Sequence, residues 1–298
     1  MLHLFEKYGV HVTWATVGML FAKNKDELMQ MLPEQKPEYH NPALSAYQHI
    51  NSGQVGEDEA SDPFHFAPSL IEKILETPHQ ELATHTFSHY YCNEPGQNAN
   101  HFRDDMKAAI KAADKFGKKL TSLVFSRNQY NEEYLQVCQD LGITNVRSNP
   151  DIWWWNINTG TEGKLKRLCR GLDAYLPLDR DTTSSSSPDE DVTPDEDVTK
   201  STTHDSVQQI PASRLLRPFS PRFPFLNPLR VRRIKNEMTY AAKNGRAYHL
   251  WWHPHNFGAF PKENLADLEE ILRHYQKMNE KYGMQSQTME EMGVGTLG

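Results

Sequence analysis

Two histidines, His85 and His89, stand four residues apart at the end of the short apolar run that begins at Glu81. This is ligand spacing for a divalent metal. Four residues make about one helical turn, so a chain that coils after Thr84 sends both imidazoles from one face toward one ion. A zinc-protease signature requires Glu directly after the first histidine, as general base, and Thr86 holds that position, which argues against protease chemistry. The competing explanation is that both are ordinary surface or capping histidines in a chain that carries 14.

Two further clusters of polar residues follow apolar runs. Arg127, with Asn128 and Gln129, comes after the run ending at Phe125; its planar fork can orient a carboxylate or a substrate anion, or it is a solvated loop arginine. His253 follows Tyr-His-Leu-Trp-Trp and is stiffened by Pro254. It suits a general acid or base whose orientation must be held, the alternative being an imidazole packed among tryptophans. Asp151 is a candidate to hydrogen-bond to His253 and tune its basicity. Beyond it, Trp153, Trp154 and Trp155 offer flat faces that stack on sugar rings, although consecutive residues cannot all face one site and at least one is expected in the core.

The elements that position these residues alternate between strand and helix. Leu2, Phe5 and Tyr8 have helical spacing with Gly9 as the stop, and residues 10–17 are a β-branched, buried strand. A helix then a strand at residue 1 implies that a first strand is missing. Helices are expected over residues 19–31, 68–75, 98–116, 131–141 and 231–244, with a last one capped by Asn264. Strands are expected over residues 81–84, 120–125, 143–147 and 248–252. This order argues for parallel pairing in an α/β sheet or barrel, whose strand ends share one face and bring the three clusters together.

With 298 residues, one catalytic domain is the default reading. Residues 181–206 interrupt it with a tandem acidic, Ser/Thr-rich repeat free of aromatics, expected to be a disordered insert. The net charge of −7 is mixed along the chain, so no basic stripe points to nucleic acid or an anionic membrane surface. No run is long enough to span a bilayer, and the N-terminus does not read as a targeting segment. Three cysteines without framework spacing fit free thiols, hence a cytoplasmic protein.

In order, these pieces resemble the polysaccharide deacetylase (NodB-homology) family of metal-dependent carbohydrate esterases. The resemblance rests on Thr13-Trp-Ala-Thr-Val-Gly18, on His85-Thr-Phe-Ser-His89, on Arg127 at a strand end (with the usual proline pattern altered) and on a late strand ending at His253. It implies a distorted (β/α) barrel holding a divalent ion, commonly Zn2+, on an Asp-His-His triad, with water attacking the N-acetyl carbonyl of a sugar and His253 protonating the leaving amine. The family's two aspartates belong to a strand that should precede Leu2. Metal triad and base are thus incomplete here; truncation is the expected reason, a degenerate relative that has lost catalysis being the alternative, and the chain as it stands is expected to hydrolyse poorly or not at all. Asp104 or Asp105 are conceivable substitutes as third ligand. The expected activity is deacetylation of an amino sugar or polysaccharide precursor. An allantoinase-like amidohydrolase acting on a small non-sugar amide, or a non-catalytic carbohydrate-binding module, are the alternatives.

Overall fold

The computed structural model describes residues 1–150 and 206–295, together with positions 166, 169, 171 and 173. Asp151, Trp153 to Trp155 and nearly all of the acidic insert lie outside the described residues. Helix α1 (Leu2–Tyr8) stops where Gly9 takes a left-handed φ of 59°, a conformation that costs glycine nothing. It leads into β1 (Val12–Thr16). The stretch expected as one helix is two pieces, a 3-10 turn Gly18–Phe21 and α2 (Lys25–Met31), because Asn24 breaks out to cap α2 through Glu27 N (2.9 Å). Next come α3 (Ala46–Asn51), α4 (Pro68–Glu76), β2 (Gln80–Thr84) and α5 (Ala99–Asp114). Strand β3 (Ser122–Leu123), α6 (Glu132–Asp140) and β4 (Asn145–Ser148) follow. Asn98 and Asn131 cap α5 and α6 by accepting from the amides of His101 and Tyr134.

Every pairing between the strands among the described residues is parallel. The order β1-β2-β3-β4-β5 forms one sheet, with β5 at Gln208–Pro211. A second pair joins β6 (Arg214–Leu215) to β7 (Leu250–Trp251). The two sheets meet in one continuous stretch of chain. Ala212 N still donates to Ser148 O of β4 (3.0 Å), whereas Ser213 N already donates to His249 O before β7 (2.9 Å). No closed barrel forms among the described residues; the structure is a mixed α/β fold with a parallel sheet, and the C-terminal ends of its strands define one rim.

Helices cover the outer face. Phe87, Phe102, Met106, Leu123, Phe125 and Ile143 join one core under α5 and α6. Phe5, Leu216, Ile234, Leu268 and Ile271 join another, under α7 (Asn227–Lys243) and α8 (Pro261–Tyr282). Asn264 does not cap α8. It is buried one turn inside the helix, where its side chain accepts from Phe219 N (2.6 Å), and Pro261 occupies the first turn because its missing N–H costs nothing there. The last helix, α9 (Met289–Gly295), packs at the opposite face, where Met289 meets Val124 and Ile210. Its Met289 and Glu290 amides donate to Thr13 Oγ1 and Glu81 Oε2 (2.8 and 3.2 Å). The three cysteines are free thiols, and no helix among the described residues is long and apolar enough to cross a membrane.

Candidate active site

His85 and His89 are not on a helix. The segment after β2 is an irregular loop in which Thr86 and His89 have φ of 66° and 58°, a left-handed conformation that is unfavourable for a β-branched residue such as Thr86. The helical-turn route to convergence is therefore corrected. Two left-handed residues, rather than a coil turn, bring the rings to a centroid separation of 4.7 Å in an edge-on pair.

Hydrogen bonds hold the loop in that shape. Asp105 on α5, fully buried, accepts from Phe87 N (2.7 Å), from Ser88 Oγ (2.5 Å) and from Tyr47 OH (3.3 Å). Burial pushes its carboxyl up to about 6, against the pull of these donors. Thr86 Oγ1 accepts from Tyr90 N (2.7 Å), and Gly18 N donates to Thr86 O (2.9 Å). Gly18 allows this close approach: a Cβ there would lie 2.7 Å from the Phe87 ring. Asp105 thus braces the histidine loop from beneath. Asp104 pairs with Lys107 at 3.2 Å. Neither supplies a third metal ligand.

The electrostatics of the pair are set by desolvation. Burial, then the charge of His89, hold the His85 imidazole down at about 3, with Arg147 and His253 acting in the same sense. His89 is also lowered, by burial, then by Arg127 and His253. His85 Nδ1 lies 2.6 Å from the carbonyl oxygen of Val124. A carbonyl only accepts, so in the neutral ring Nδ1 carries the proton and Nε2 keeps a bare lone pair. That arrangement suits a metal ligand held by an outer hydrogen bond. Among the described residues, however, no three His, Cys, Asp or Glu side chains gather as a metal site. The donor set accounts for two positions around an ion.

His253 follows β7 and lies close enough to His85 and His89 to depress both. Its own basicity is reduced by burial, then by His255 and Arg147. Its ring meets Trp251 edge-on at 5.4 Å and stacks with His255 at 5.3 Å. Arg127, at φ 58°, lies at the rim: its Nη1 donates to Glu94 Oε1 (2.6 Å) and its guanidinium covers the Tyr91 ring at 4.4 Å. The Tyr91 ring in turn packs 5.0 Å from that of His89. Three strand ends thus contribute to one cluster, while Asp151 is outside the described residues.

Sequence reasoning missed Arg147, at the end of β4. Its Nε and Nη2 both donate to Asn128 Oδ1 (3.1 and 2.8 Å), and its guanidinium lies 4.2 Å from the Trp251 ring. Burial lowers its pKa to about 10. The available signal was an arginine directly after Val146 within a short strand, where a solvated position would be unexpected.

The family model for polysaccharide deacetylase matches residues 1–146, which include β1, the histidine loop and Arg127. No curated protein sequence matches the chain. A crystal structure from Mycobacterium smegmatis, assigned as a polysaccharide deacetylase, aligns over 99% of this chain and 74% of its own at 14% identity and a TM-score of 0.50, a likeness of fold. With the loop geometry and the parallel sheet in view, residues 1–146, just under half of the chain, carry the match to the polysaccharide deacetylase family.

Proposed function

We propose that this chain is a metal-dependent hydrolase that removes the acetyl group from the nitrogen of an amino sugar, free or within a polysaccharide precursor. The observation that carries the reading is the neutral His85, its tautomer fixed by Val124 O and its ring against that of His89. The family match over residues 1–146 supports a deacetylase acting on carbohydrate. A divalent ion, when bound, would polarise the acetyl carbonyl and acidify a water molecule. His85 and His89 would hold that ion, together with a ligand outside the described residues. His85 is pre-organised for this, because desolvation keeps it unprotonated and one hydrogen bond sets its direction. His253, held against Trp251, would donate the proton that the departing amine requires. Arg127 is committed to Glu94 and Tyr91, so in this arrangement it fixes the rim beside His89.

The test is acetate release from N-acetylglucosamine oligomers by the zinc-loaded chain, compared with His85→Ala and His89→Ala. Acetate release should fall at least about 100-fold in each variant, with loss of bound zinc. Unchanged zinc content in both would remove the site assignment. Turnover confined to a small non-sugar amide would select the amidohydrolase alternative. Sugar binding that survives chelation without turnover would select the binding module.

A further inference from the structure

We infer that Arg147 is an anion-binding residue that selects amino sugars bearing a carboxylate or phosphate, an inference that rests on the reading of this chain as acting on an amino sugar. A guanidinium has five N–H groups, and Asn128 Oδ1 takes one from Nε and one from Nη2. Three N–H groups, two on Nη1 and one on Nη2, are left without a partner among the described residues. Two of them, one on Nη1 and one on Nη2, lie side by side at the end of the fork, an edge that grips carboxylate and phosphate oxygens.

That edge is held in place before any ligand arrives. Asn128 Nδ2 donates to Asn149 Oδ1 (3.0 Å), which orients the amide so that its oxygen faces the arginine. The flat face of the guanidinium rests on Trp251, and the same indole meets the ring of His253. Arg147 is therefore one aromatic ring away from the histidine proposed to protonate the leaving amine. It also carries no carboxylate partner among the described residues. Arg127 pairs with Glu94, Arg214 with Glu237 and Asp173, and Arg230 with Asp267. The titratable groups that surround it are His85, His249 and His253, and each feels it as a like charge. A desolvated cation among imidazoles, with no counter-ion among the described residues, creates a positive field that favours an anion arriving with the substrate.

Carboxylate and phosphate share this chemistry, and calorimetric binding separates them. The probes are N-acetylglucosamine, N-acetylmuramic acid and N-acetylglucosamine 6-phosphate, titrated into the full chain and into Arg147→Gln and Arg147→Lys. At least one anionic sugar should bind about 10-fold or more tighter than the neutral one. Arg147→Gln should erase that advantage and leave affinity for the neutral sugar unchanged, while Arg147→Lys should keep part of it. The anionic probe that gains identifies the source of the charge. Equal affinity for all three in the unaltered chain, binding of none, or an undiminished preference in Arg147→Gln would overturn the inference. The comparison within the unaltered chain stands even if Arg147→Gln does not fold. Equal acetate release from neutral and anionic substrates would sink the inference and leave the deacetylase reading intact. A preference for anionic sugars with no acetate released from any would do the reverse.

Discussion

Two arginines, both largely withdrawn from water, are treated in opposite ways by this fold. Arg214, at the start of β6, donates to Glu237 at 3.0 and 2.5 Å and to Asp173 at 2.5 Å. Arg233 shares both acids, at 2.9 and 3.3 Å, and Tyr248 OH donates to Glu237 at 3.0 Å. Burial works against the charge on Arg214, yet the bonds and charge of Glu237, with Asp173, carry its pKa above the ordinary arginine value. Among the described residues Arg147 meets an amide oxygen and an indole ring and no carboxylate, and burial acts on it, downward. One arginine closes a structure that is complete in itself. The other is left with donors to spare, at the end of the sheet where the histidines gather. Charges satisfied internally stabilise the fold, whereas a charge left unsatisfied beside a cleft is available to a ligand.

That contrast can be broken most directly by unfolding in urea. Arg214→Met leaves Glu237 and Asp173 with less compensation and should cost about 3–5 kcal/mol, whereas Arg147→Met should cost less than about 1 kcal/mol or stabilise the chain. Similar losses in both would mean that Arg147 has a structural partner after all. A second substitution sharpens the picture on the site side, where backbone contacts replace ion pairs. Gly18→Ala forces a Cβ to within 2.7 Å of the Phe87 ring, so thermal or urea unfolding should show a loss of about 1–3 kcal/mol. A neutral effect would show that the histidine loop is looser than its hydrogen bonds suggest.

The smallest effect is the pH dependence contributed by the positive region. His249, between Ser213 and β7, is held at about 4 by burial and then by the charge of Arg147. Its folded pKa is lower than its unfolded one, so from about 6.5 down to about 4 the unfolded chain takes up a proton that the folded chain refuses. Stability should therefore rise with pH across this window and level off above it. His249→Gln should flatten that slope, by on the order of 2 kcal/mol between the two limits. An unchanged slope would place His249 in a solvated setting, away from the charge of Arg147.

Much of the fold was legible because its signals are local. Gly9 as a helix stop, Asn98 and Asn131 at helix starts, and the alternation of strand and helix around residues 81–147 depend on residues within one turn of each other. The misreadings arose where a distant partner decided the outcome. Asn264 looks like a cap in sequence, but the amide of Phe219 uses its side chain and the helix starts at Pro261. The strand expected over residues 120–125 shortens to Ser122–Leu123, since only those residues meet partners in β4. Strands β5 and β6 were missed because their pairing with β4 and β7 leaves little period-2 pattern in so few residues.

For the site, sequence alone supplied the histidine spacing, the arginine and histidine after their strands, and the expectation that parallel strands gather such ends on one rim. These follow from chain connectivity and residue chemistry. Only the tertiary structure decided that left-handed residues rather than a helical turn bring His85 to His89, that Val124 fixes which nitrogen of His85 is bare, and that Arg147 lies beside Trp251 with no carboxylate partner among the described residues. Backbone handedness, tautomer and isolation of a charge are properties of what surrounds a residue. Those surroundings come from segments tens to more than a hundred positions away.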